Sequence, residues 1–237
     1  MSNGSVSIKW VFIALTLVFS AFASAQNVNL KDACNSGRGL LLKSRDGFQV
    51  NIMRYGFEDA EHRGKLIVIV PPTGGVNMID KGFARMFCRS GYLAIILRSY
   101  TGSDEVSLDL DVHTRVIGKA VKAFRMIRIQ YPQKFFGILG TSAGGIVAST
   151  LVDDFADDLD AIFTIVSGAP LYAVIARAGE KGLKKLREDR MRAFGFQTIE
   201  DYEMALAKRL HVSIPVNVPP QIKVGMIVAR KDTVVPP

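Results

Sequence analysis

Short apolar and β-branched runs, broken by glycine, proline and polar clusters, alternate with longer amphipathic stretches along most of this chain. Residues 40–43 and 48–55 are β-like runs joined by Arg45-Asp46-Gly47. Asp-Gly between two such runs reads as a hairpin turn. Residues 65–70 are a continuous apolar run, the pattern of a strand buried on both faces. Pro71-Pro72-Thr73-Gly74-Gly75 then interrupts regular structure. A helix is expected over about residues 80–90, closed by Gly91. Residues 92–98 read as a second buried strand and 99–108 as a loop. Residues 109–130 carry Val112, Val116, Ala120, Ala123, Phe124 and Ile127 at helical spacing, and Pro132 follows. The apolar stretch 134–139 leads into Gly140-Thr141-Ser142-Ala143-Gly144, then into small residues that open another helix. Residues 160–166 read as a strand. Residues 171–211 are helical and strongly charged, which fits an inserted cap of two or three helices. Residues 221–229 read as a last strand.

Strands and helices alternating at this spacing predict an α/β fold, a mostly parallel sheet with helices on both faces. The two early strands are expected as an antiparallel edge. Chemistry in such sheets gathers in loops at the carboxyl ends of the strands. The loop containing Thr73 and Gly74, the turn at Ser142 and the stretch containing Asp232 each follow a strand at that end.

A chain of 237 residues with 49% hydrophobic content can bury one sizeable core, and 22% charged residues argue against disorder. Residues 1–25 stand apart. Lys9 precedes the apolar run from Trp10 to Phe19, and Ala23-Ser24-Ala25 supplies a small-residue cleavage site, which reads as a secretory signal peptide. The apolar run is short for a membrane anchor, which needs about 20 residues. Residues 26–237 would then form one domain, periplasmic or secreted, with no stable membrane span after signal removal. In an oxidising compartment Cys34 and Cys88 either pair as a disulfide or remain two buried thiols; the sequence leaves both open.

The net charge of +8 is spread over ordinary helix faces without interleaved aromatic residues, so nucleic acid is not expected as a partner. The denser run Lys181, Lys184, Lys185, Arg187, Arg190 and Arg192 offers attraction for an anionic substrate, but Glu188 and Asp189 interrupt it. Tyr172, Phe194, Phe196 and Tyr202 either line a pocket or form the core of the cap. No phosphate-binding loop, dinucleotide fingerprint or metal-ligand spacing occurs, so neither a cofactor nor a metal is expected.

Ser142 sits between two glycines where a strand turns into a helix, the geometry of a nucleophile elbow. With the order strand, glycine-rich loop, strand, elbow, strand, cap, strand, Asp, residues 40–237 resemble the α/β-hydrolase superfamily. Dienelactone-hydrolase-like and serine-aminopeptidase-like members are among the similar groups. The resemblance implies Ser142 as nucleophile toward a small carboxylic ester or amide. It implies the Ala143 N–H and an N–H at Thr73, with Gly74 nearby, as the oxyanion hole. It implies Asp232 as the acid that orients the catalytic histidine. Asp160 is the runner-up but opens its strand at the wrong end of the sheet.

The family order places that histidine after the acid, and none follows Asp232 here. The final strand, histidine loop and last helix of the family pattern are therefore expected to be missing from the given chain, with turnover well below that of a complete triad. His211, where the cap rejoins the core, is the foremost substitute; His62 and His113 rank lower, His113 being expected at the surface. The alternative is a non-catalytic binding or scaffold module derived from a hydrolase. An uncovered edge on the last strand would favour self-association.

Overall fold

The computed structural model describes residues 32–56, 64–72, 75–98, 108–165, 167, 170–179, 181–210 and 218–227. Its strands are β1 (Arg38–Lys43), β2 (Gln49–Tyr55), β3 (Lys65–Val70), β4 (Leu93–Leu97), β5 (Phe135–Thr141), β6 (Ala161–Ile165) and β7 (Lys223–Ile227). Its helices are α1 (Met78–Arg89), α2 (Val112–Gln130), α3 (Ala143–Asp154), α4 (Leu171–Arg177), α5 (Lys181–Phe194) and α6 (Ile199–Ala207).

The strands form one sheet in the order β1-β2-β4-β3-β5-β6-β7. From β4 to β7 the pairing is parallel, and β1 and β2 add an antiparallel edge. Gly47, at φ 84°, turns β1 into β2. This is the α/β architecture expected from the apolar periodicity.

Side chains alternate across the sheet and build two cores. Leu66, Val68 and Val70 of β3 face α2 and α3, packing with Val116, Phe124, Val147 and Leu151. Ile67 and Ile69 point the other way, onto Ala84 and Cys88 of α1. Central strands buried on both faces explain why β3 reads as unbroken Leu-Ile-Val.

Two helix starts differ from expectation. Helix α1 begins at Met78 rather than 80 because Asn77 caps it, accepting from Ile79 N at 2.7 Å and Asp80 N at 3.1 Å. Helix α2 begins at Val112, since Asp109 is spent on the preceding turn, accepting from Asp111 N at 2.8 Å. Cys34 and Cys88 are joined by a disulfide with Cα atoms 5.5 Å apart, tying the N-terminal segment to the end of α1.

Helices α4, α5 and α6 form a layer with its own core of Leu171, Val174, Ile175, Tyr202 and Leu206. That core is seated on Ile146 of α3 and on Leu110. Arg177 of α4 pairs with Glu203 of α6 at 2.6 Å. The basic run on α5 is not wholly solvated: Arg190 is fully buried. Its guanidinium donates to Tyr202 Oη at 3.2 Å and Asp109 O at 3.1 Å, and lies 3.1 Å from His113 Nε2. β7 bonds β6 on one side, and among the described residues no strand bonds its other side.

Candidate active site

Strand β5 runs straight into α3 through a single residue, Ser142, at φ 52° and ψ −125°. Among the described residues it is the sole non-glycine residue with positive φ. Such a conformation costs on the order of 1–3 kcal/mol and persists where the surroundings over-determine it. Here they do. Ser142 N donates to Ile165 O at the end of β6 at 2.8 Å, and Gly145 N donates back to Ser142 O at 2.8 Å. Ser167 Oγ, just beyond β6, donates to the same carbonyl at 3.2 Å.

The flanking glycines are required by close approach. A Cβ on Gly140 would overlap the Gly144 backbone, and one on Gly145 would overlap Ser167 Oγ. Ser142 and Ala143 are only partly buried, so the hydroxyl is not sealed beneath packed side chains. Ala143 is the first residue of α3, and its N–H belongs to the first turn, which has no intrahelical acceptor. The positive end of the helix dipole therefore lies beside the serine, favouring negative charge there.

The start of the loop after β3 packs closely on the elbow, since a Cβ on Gly144 would overlap the Val70 and Pro71 carbonyls. Gly75, at φ 90°, donates its N–H to Pro72 O at 3.1 Å and closes a tight turn. Thr73 and Gly74 lie outside the described residues, as do Asp232, His62 and His211. Asp160 lies at the amino end of β6, where its carboxylate accepts from Phe136 N at 2.7 Å. That end of the sheet is opposite Ser142.

His113 is half-buried against the cap rather than at the surface. A guanidinium only donates, so His113 Nε2 must accept from Arg190. Burial, assisted by the Arg190 charge, lowers the His113 pKa to about 3. A nitrogen so occupied cannot take a proton from Ser142. Tyr202 and Phe196 pack together inside the cap with ring centroids 5.8 Å apart, while Phe194 is half-exposed.

One residue at the site escaped the sequence reading. Asp80, in the first turn of α1, is fully buried, and its carboxylate accepts from Thr141 Oγ1 at 3.0 Å and Asn77 N at 3.0 Å. The Asn-x-x-Asp spacing of a capping box was the available signal. Among the described residues no cluster of His, Cys, Asp or Glu is placed to hold a metal ion, and no helix is long and apolar enough to cross a membrane.

No protein-family model and no curated protein matches this chain. Solved structures do. An epoxide hydrolase of the α/β-hydrolase superfamily from hot-environment metagenomes aligns with TM-score 0.53 and 13% identity, over 84% of each chain. The Pyrococcus furiosus esterase Pf2001 aligns with TM-score 0.51 and 14% identity, over 84% of each chain. A bacterial membrane phospholipase A aligns with TM-score 0.51 and 13% identity, over 96% of this chain and 84% of the other. The chain has the α/β-hydrolase fold. Within the α/β-hydrolase fold, Ser142 stands at the carboxyl edge of a central strand, where such sheets carry their chemistry.

Proposed function

We propose that this chain is a serine hydrolase of the α/β-hydrolase type, acting on a small carboxylic ester or amide. The observation that carries the reading is Ser142 itself, held at φ 52° where β5 meets the N-terminus of α3. In the proposed reaction the Ser142 oxygen bonds to the carbonyl carbon and gives its proton to a base. The carbonyl oxygen, now negative, is received by the N–H of Ala143 and that of Thr73, with Gly74 nearby. The leaving alcohol or amine departs with a proton, and water then releases the acid from the acyl-enzyme. Asp232 is assigned the acid that orients the base. His113 is excluded from the basic role by its bond to Arg190, which leaves His211 as the first residue to test.

The neighbouring folds support a hydrolase; ester or amide chemistry is our extension to this chain. The Cys34–Cys88 disulfide supports a working place in an oxidising compartment, in keeping with the export signal proposed at residues 1–25. Among the described residues no strand bonds the outer side of β7, which supports self-association through strand pairing.

A fluorophosphonate carrying a fluorescent reporter tests the nucleophile. Labelling of the native protein and none of its Ser142→Ala variant is expected. Equal labelling of the two would remove the assignment. A His211→Ala variant that labels at the native rate would remove His211 as base.

A further inference from the structure

We propose that Asp80 is a positioning residue that clamps the loop between β3 and α1 to the strand end carrying Ser142. The inference rests on the serine-hydrolase reading and assigns a part of that machinery. A carboxylate three residues after an N-cap ordinarily lies on a helix surface and closes a capping box, worth about 1 kcal/mol. Asp80 does close the box, through Asn77 N at 3.0 Å. Yet it is fully buried, and its other oxygen accepts from Thr141 Oγ1, 61 positions further along the chain.

Taking a carboxylate out of water costs several kcal/mol even after relaxation. Its desolvation is visible in a carboxyl pKa held above the ordinary aspartate value. A helix cap does not offset that cost. What the burial secures is geometry. One oxygen holds Asn77, the last residue of the β3–α1 loop, and the other holds the residue immediately before Ser142. A Cβ on Gly144 would overlap the Val70 and Pro71 carbonyls, so the elbow also packs closely where the same loop begins. The loop and the elbow are thus joined at both ends of the loop.

An oxyanion hole assembled from these two segments needs donors 2.7–3.1 Å from the developing charge. Displacement of one segment by about 1 Å is enough to cost on the order of 100-fold. Asp80 acts on that distance without touching the substrate.

The test uses the full chain and the fluorophosphonate, whose phosphorus bonds Ser142 Oγ as fluoride leaves and the serine proton passes to the base. Maximal labelling rate and half-saturating concentration are measured separately, with melting followed on each variant. Asp80→Asn and Thr141→Val are expected to lower the maximal rate by about 10- to 100-fold, leaving half-saturation within about twofold. Thr141→Ser, which keeps the hydroxyl, is expected to recover most of the rate. Native rates in folded Asp80→Asn and Thr141→Val would overturn the clamp while leaving Ser142 as nucleophile. A Thr141→Val loss that Thr141→Ser does not recover would overturn it too. If Asp80→Asn fails to fold, the Thr141 pair decides alone. If the native protein is not labelled at Ser142, the hydrolase reading fails and the clamp with it.

Discussion

Gly144 lies so close to the carbonyl oxygen of Val70 that a Cβ there would overlap it and the neighbouring Pro71 carbonyl. The obstacle is backbone on both sides, so no rotamer change relieves it. Gly144→Ala must separate the first turn of α3 from the end of β3. Overpacking of this kind costs about 1–3 kcal/mol. A lower denaturant midpoint and slower labelling of Ser142 are expected together. A Gly144→Ala protein as stable and as reactive as the native one would show that the elbow and loop tolerate separation.

The disulfide should matter for stability by a simple argument. It closes a loop across a sequence separation of 54 residues, and both cysteines are fully buried. Loop entropy alone assigns it about 4 kcal/mol. A Cys34→Ala, Cys88→Ala double variant should therefore melt well below the native protein. It should also match reduced native protein in its denaturant midpoint. A double variant within about 1 kcal/mol of the oxidised protein would contradict the loop-entropy figure.

Much of the sheet is legible in the sequence. β3 occupies 65–70, the residues expected, because a strand buried on both faces has no polar positions to blur its ends. The glycines around Ser142 were legible for the same local reason: a strand turning into a helix in one residue leaves no room for side chains. What was hidden is tertiary. Arg190 reads as one more charge in a basic run, but it shares a buried helix face with Leu186 four residues earlier. Which face of a cap helix docks is not set by its own charges. The contact of Asp80 with Thr141 joins distant segments and has no local signature beyond the capping box.

Acid sensitivity should trace to His113. Its pKa falls from 6.5 to about 3 on folding, through burial and the Arg190 charge. The unfolded chain therefore binds this proton at higher pH than the native protein does. Stability from this site is complete above pH 6.5 and is lost as pH falls toward 3, by up to about 1.4 kcal/mol per unit. Asp80 acts in the opposite sense: its pKa is raised on folding, so acid relieves rather than destabilises it. Denaturant titrations at a series of pH values should show the acid slope, reduced in His113→Gln. An unchanged slope in that variant would move the acid sensitivity to another group.

The strain at Ser142 makes a separable prediction about stability and reactivity. At φ 52° and ψ −125° a Cβ is crowded, whereas glycine adopts such angles readily. Ser142→Ala keeps the Cβ and with it the strain; Ser142→Gly removes both. Glycine ordinarily loses to alanine by about 0.5–1 kcal/mol through chain entropy. Strain of about 1–3 kcal/mol at this one position outweighs that loss. Ser142→Gly is therefore expected to be more stable than Ser142→Ala by about 1 kcal/mol, with neither variant labelled by the fluorophosphonate. Urea denaturation of the two variants side by side measures the difference with the hydroxyl absent from both. If the alanine variant proved the more stable, the elbow would hold no strain, and the cost of presenting Ser142 would have to lie elsewhere in the fold.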